Sequence, residues 1–299
     1  MKRAMGWQLY RWVWELRSPL HIGMPPAGML NRCRLYIPAR VLWGALTAEL
    51  ARVLKGNSFP EYFYFEVGEA LRKKLRLTYL FPATCHNGAW RAWLPLYEQA
   101  QGLMWYLENK IGQSGFPDRI FRRYLLDTLP GTAIDPHTDT AAEGTLRELE
   151  CIMTHWRPID DLISGPVAMV GYVLIREWPF RDISLEKICE LHVGGDTRYG
   201  LGHLHLIEWG EAKDIFGLSV ETDCESPLVK EASFTLAHAC APALNGALEL
   251  ILGWDWGKGL SNFDGKSTLW VPGSSSMEKD KKDNWQINEW GIWTIVTGS

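Results

Sequence analysis

At 299 residues, 46% hydrophobic and with a net charge of -4, the chain is long enough and apolar enough to bury a sizeable core. Disordered polyelectrolytes and fibrous repeats are thereby excluded. The small net charge conceals an asymmetry, because residues 1–130 carry 18 Lys/Arg against 9 Asp/Glu (balance +9) and residues 131–299 carry 13 against 26 (balance -13), so the basic half is the candidate polyanion contact.

In chain order, residues 6–17 (GWQLYRWVWELR) alternate apolar and polar residues and predict a strand that directs Trp7, Leu9, Trp12 and Trp14 toward core or stacking positions. A Pro/Gly-rich loop covers 18–37. Pro38 then opens a helix whose apolar positions Val41, Leu42, Ala45, Leu46, Leu50 and Val53 share one face, with Gly56 at its C-cap. Residues 57–165 read as an insertion: an aromatic strand at YFYFEV, basic helical pieces, Gly/Pro-marked loops near 112–117 and 130–131, and a hairpin turning at 135–140. Next come a buried strand at 167–175, a short helix at 182–191, a glycine loop, and a strand at LGHLHLIEW. Strand, helix, strand, strand, helix, strand is the ferredoxin-like order, an α+β fold of the kind used by RRM domains. Residues 1–210 form that predicted domain, and 211–299 a second, degenerate, β-rich half. In the latter, strands are expected at 232–244 and 246–254, a solvated loop at 274–284, and a closing strand at INEWGIWTIV.

No apolar run reaches the length of a membrane span or of a signal h-region. The six cysteines (33, 85, 151, 189, 224 and 240) contain no C-x-x-C pair and no zinc spacing with histidine. Both features predict a cytoplasmic protein with free thiols. Most of the 16 Trp are expected in the core or at subunit interfaces.

The loop Gly194, Gly195, Asp196, Thr197, Arg198, Tyr199, Gly200, Leu201 and Gly202 places four glycines, one cation and one aromatic between two regular segments. Glycine adopts positive φ and lacks the Cβ that would hold a ligand away. Backbone N–H groups, Arg198 and the Tyr199 ring therefore suit an RNA phosphate and base; a tight turn is the plain alternative. The loop lacks a Gly-Lys-Ser/Thr ending, and His205 stands where G-x-G-x-x-G would place its last glycine.

In their shared order, these segments resemble the RAMP superfamily of CRISPR effector proteins. The blocks are the first strand running into Ser18-Pro19-Leu20-His21-Ile22-Gly23, the Tyr36-Ile37-Pro38 helix entry with Leu42-Trp43-Gly44-Ala45-Leu46, the stretch from Thr132 to Gly144, and the glycine loop. The resemblance covers most of the chain and implies a subunit of a type III effector complex, with guide RNA, target RNA held through the guide, and other protein subunits as partners. Repeated backbone subunits of that family carry a slicing aspartate between first strand and first helix; residues 23–34 here contain no acid. Gly253-Trp254-Asp255-Trp256 and Trp270-Val271-Pro272-Gly273-Ser274 resemble the second half of the subunit that caps the guide RNA five-prime handle. The resemblance thus implies a non-catalytic RNA binder contacting RNA through the glycine loop and His21, to which the charge of the basic half adds Arg32, Arg34 and Arg40, and proximity to basic loops adds Trp43. Ile134, His137 and Thr138 are implied contacts on a hairpin that enters the guide–target duplex. A backbone subunit, a guide-processing endoribonuclease using His21 or His137 as base, and an unrelated α+β protein are the alternatives.

Other constellations point away from metals. His203 and His205 share one strand face, but no third ligand is evident, so ordinary or RNA-facing histidines are preferred. Asp135, His137 and Asp139 suggest a cation loop, yet Thr140 and Leu146 stand where the calcium motif needs glycine and glutamate. Adjacent Asp160 and Asp161 read as a solvated turn. No cofactor is expected.

Overall fold

A computed structural model describes residues 6–56, 58, 60–158, 163–255, 259–262, 268–278 and 281–296. Asp160, Asp161 and Trp256 lie outside the described residues, so the readings placed on them have no structural counterpart here.

The framework consists of β1 (Gln8–Leu16), α1 (Ala39–Lys55), α2 (Tyr62–Lys74), β2 (Leu75–Leu77), β3 (Ala168–Ile175) and β4 (His203–Glu211). β1 is flanked antiparallel by β3 and β4, and β2 pairs with the far side of β3. The spatial order β4-β1-β3-β2 is ferredoxin-like. Register runs from Gln8↔Ile175 to Glu15↔Ala168, and a bulge between Val13 and Trp14 re-aims the strand against β4. Trp12, Val13 and Trp14 are consecutively buried, because β1 is central and covered on both faces instead of one. β3, buried along its whole length, reads as a continuous apolar run for the same reason.

Pro38 sits at the N-cap of α1, where its missing N–H costs nothing, and Gly56 at the C-cap takes φ 75°. The buried face is Ala39, Leu42, Leu46, Thr47, Leu50 and Ala51; Val53, predicted on that face, is exposed. The YFYFEV segment is a correction, since it opens helix α2 and not a strand. Val67, Gly68 and Leu71 are its buried positions, at helical spacing, and packing that stripe on α1 overrides the strand propensity of four aromatics. Gly68 is the contact point: a Cβ there would stand 2.7 Å from the Trp43 ring.

Residues 57–165 do not form a separate body. Phe81–His86, Ala89–Glu98, Gly102–Leu107 and Gly115–Pro117 continue the framework sheet beyond β3. α3 (Asp118–Leu125) lays Phe121 flat on Trp105, with centroids 4.8 Å apart and planes at 12°. Leu126–Gly131 pairs with Arg147–Ile152, and the chain between them forms the expected hairpin, Ile134–Asp135 against Thr140–Ala141. The short helix predicted at 182–191 reduces to a 3-10 turn, Leu185–Lys187, and a strand, Glu190–His192. Only one turn of apolar spacing exists there (Leu185, Ile188), after which Leu191 and Val193 are buried in alternation.

An eight-stranded sheet organises the C-terminal part, with Leu228–Ala232 and Trp293–Val296 flanking Asp283–Ile287. The strands predicted at 232–244 and 246–254 break into short pieces at Ala239–Cys240, Leu248–Glu249 and Leu252–Asp255. Phe234 through Ala239 are consecutively buried, yet of that run only Ala239 joins a named strand. Ser274, assigned to the solvated loop, is fully buried and donates to the Val271 carbonyl at 2.7 Å. One hydrophobic core runs through both sheets, joined where Phe81 meets Phe216 edge to face and where the Tyr79 hydroxyl meets His238 Nδ1 at 2.7 Å.

Candidate nucleic-acid interface

The glycine loop is the turn that returns the chain from Glu190–His192 into β4. Gly194, Asp196, Gly200 and Gly202 take φ of 87°, 55°, 87° and 73°. Two of these glycines are fixed by packing: a Cβ on Gly194 would lie 2.3 Å from the His21 carbonyl oxygen, and one on Gly202 would lie 1.9 Å from that of Val193. The Gly195 and Gly202 N–H groups donate to the His21 and Pro19 carbonyls at 2.9 and 2.8 Å, while Tyr199 and Gly200 close the 3-10 turn on Asp196 and Thr197. The expected cradle of N–H groups across 194–202 is therefore narrower than the sequence implies. The loop presents Arg198 and a Tyr199 that is 70% exposed.

His21 supports the loop from beneath. Its side chain is buried and its Nδ1 lies 2.7 Å from the Glu150 carbonyl oxygen, a position that makes it a brace and not a surface contact. Beside it opens a cleft of about 580 Å³ walled by Ile22 to Pro25, Arg34, Arg40, Gly194, Gly195 and Leu250 to Gly253. A recess of about 350 Å³ shares Met24, Pro25 and Arg34 with that cleft and adds Arg32, Arg122 and Tyr97. The fold thus gathers Arg34, Arg40 and the first loop glycines in the cleft and Arg32 in the recess beside it, which sequence separation alone did not require.

Each cation is held differently. Arg34 pairs with Glu249, which also receives His238 Nε2 at 3.0 Å, while the buried Arg34 Nε has no hydrogen-bond partner among the described residues. Burial pushes the Glu249 carboxyl up, but the bonds from His238 and Arg34 outweigh it and hold the pKa below the usual value; burial drives that of His238 down. Arg40 lies over the Trp290 ring at 4.4 Å. Arg122 contacts Asp118 at 2.9 Å and the Cys33 carbonyl at 3.1 Å. The same linings include exposed leucines, Leu250 and Leu252 in the cleft and Leu248 in the recess. Sequence reading passed over these leucines, although their alternation in LELIL was visible.

Trp43 does not line the groove. Its indole N–H donates to the Gly68 carbonyl at 3.0 Å and its ring meets Trp290 edge to face, so its job is to join α1 to α2. Ile134 is 58% exposed on the hairpin, whose tip is tied by His137 N–H to Asp135 Oδ1 at 2.8 Å and by Thr138 to Thr140 at 2.9 Å. Arg147, missed from sequence, connects the base of this hairpin to the glycine loop: it pairs with Asp196 at 3.8 Å and lies over Tyr199 at 5.6 Å.

The paired histidines acquire a third group, Glu190, which bonds His203 Nε2 at 2.5 Å and His205 Nδ1 at 2.6 Å. Among the described residues, no set of three His, Cys, Asp or Glu is arranged to hold a metal. Burial pushes the Cys33 and Cys151 thiols up to about 12, so neither is a thiolate nucleophile near neutral pH. No helix among the described residues is long and apolar enough to cross a membrane.

No protein-family model matches the chain, and no curated protein does so by sequence. Its fold is shared with solved structures. A chain in the cryo-EM structure of the Type III-B Cmr-beta bound to cognate target RNA and AMPPnP aligns at TM-score 0.51 and 14% identity, over 89% of this chain and 84% of that one. A chain in the cryo-EM structure of the Type III-B Cmr-beta bound to cognate target RNA gives 0.50 and 14%, over 88% and 85%.

Proposed function

We propose that this chain is a non-catalytic RNA-binding subunit of a type III CRISPR effector complex, and that its groove holds the guide RNA at the five-prime handle. The observation that carries the reading is the convergence of Arg34 and Arg40 with Gly194 and Gly195 along one cleft, with Arg32 in the adjoining recess, in a fold shared with chains of an assembly described as bound to target RNA. A lining that combines arginines with exposed leucines suits an unpaired strand, with phosphates at the arginines and base faces at the leucines. Non-catalytic action is supported by the buried, carbonyl-bound His21 and by the lack of an acid in residues 23–34.

The test is fluorescence anisotropy of labelled repeat RNA with the purified chain and with the chain co-expressed with its genomic neighbours. Binding that weakens with salt, prefers unpaired RNA, and weakens on Arg32→Ala or Arg40→Ala is expected, with intact RNA recovered afterwards. Absence of RNA from both preparations, or fixed-site cleavage abolished by one substitution, would overturn the reading.

A further inference from the structure

Arg147 belongs to none of the segments that suggest RNA binding, yet it occupies a strategic position. It starts the strand Arg147–Ile152 and crosses Gly131 of the paired strand, where a Cβ would stand 3.3 Å from its Nε. The missing side chain at Gly131 lets the guanidinium reach across to the glycine loop. There it meets two groups at once, the Asp196 carboxylate at 3.8 Å and the face of Tyr199 at 5.6 Å. Asp196 is the loop's non-glycine residue in the left-handed region, and Tyr199 follows one short turn later.

Two consequences follow from elementary electrostatics. A carboxylate beside a phosphate-binding loop repels the ligand unless a cation neutralises it. An exposed tyrosine samples several rotamers unless something holds its ring. One planar guanidinium does both, because its N–H edge attracts the carboxylate while its face lies over the ring. With Arg147 on one face and the ring 70% exposed, the other face of Tyr199 is open.

We infer that Arg147 is a positioning residue that fixes Tyr199 as a single-base stacking platform, so that an unpaired nucleobase stacks on the ring face opposite the guanidinium. The inference rests on the RNA-binding reading above and adds to it a specific residue with a specific role. The role of Arg147 in this inference is positioning and not phosphate contact, with the guanidinium turned to Asp196 and the Tyr199 ring.

The experiment has two arms. In RNA-free protein carrying 3-fluorotyrosine, the Tyr199 fluorine line is expected to shift and sharpen on Arg147→Ala and to stay in place on Arg198→Ala. In the second arm, a short unpaired RNA with one 2-aminopurine reports stacking by fluorescence quenching. Tyr199→Ala is expected to abolish the quench. Arg147→Ala is expected to remove most of it and weaken binding roughly threefold to tenfold, leaving the salt slope unchanged. Arg147→Lys keeps the charge but not the plane and is expected to fall between. A fluorine line indifferent to Arg147→Ala overturns the positioning role. A salt slope that drops by about 0.7 with the quench intact makes Arg147 a phosphate contact and overturns it equally. Wild-type protein that binds no RNA while its fluorine line still responds sinks the RNA-binding reading itself, and the base platform with it.

Discussion

At the scale of single residues, the glycine loop separates positions that packing requires to be glycine from positions that packing leaves open. Gly194→Ala and Gly202→Ala place a Cβ against a backbone oxygen while φ is positive, and each is expected to lower stability by about 2 kcal/mol or more in urea unfolding. Gly200 has the same φ but open space around it, so Gly200→Ala is expected to cost only about 1 kcal/mol. Arg198→Ala is expected to leave the melting temperature unchanged and to reduce the log–log salt slope of RNA binding by about 0.7. These contrasts also show what sequence could reveal. Four glycines around Arg198 and Tyr199 announced a special backbone, but which N–H groups are spent on Pro19 and His21 depends on the loop that follows β1, far earlier in the chain, and leaves no local signature.

At the scale of elements, local signals succeeded where one residue type enforces one geometry. Pro38 and Gly56 bracket α1 as their chemistry demands, and the alternating Trp residues of β1 read correctly as a strand. They failed where burial decides: the aromatics of α2 favour a strand until Val67, Gly68 and Leu71 find Trp43 and the α1 face. The contact at Gly68 is testable, because Gly68→Val must displace the Trp43 ring and is expected to destabilise by about 1–3 kcal/mol, whereas Gly44→Ala, with open space around it, is expected to stabilise by up to about 1 kcal/mol. The groove stayed hidden for another reason. Its walls come from segments near 22–40, 194 and 250, and nothing in a single sequence reports that three such segments meet.

At the scale of the whole molecule, a polar network at the junction of the two sheets sets the response to acid. His238 is completely buried beside Tyr79 and Glu249, with Arg34 on the far side of that carboxylate. Burial lowers the His238 pKa, and its bonding partners lower that of Glu249, so both groups take up more protons unfolded than folded. Stability is then fully present above the ordinary histidine value of about 6.5 and is lost as pH falls through the folded values. Thermal melts are expected to fall between pH 7.5 and 5, less steeply in His238→Gln. The same architecture imposes an order on biosynthesis. β1 finds its two neighbours only in residues 168–175 and 203–211, so at least the first 175 of the 299 residues must leave the ribosome before this Trp-rich strand gains one neighbour, and 211 before it gains both. Until then it is an unpaired, aromatic edge open to wrong partners. Slow refolding, yields that fall with protein concentration, and rescue by chaperone co-expression are the expected signs of a nascent chain whose first strand waits longest.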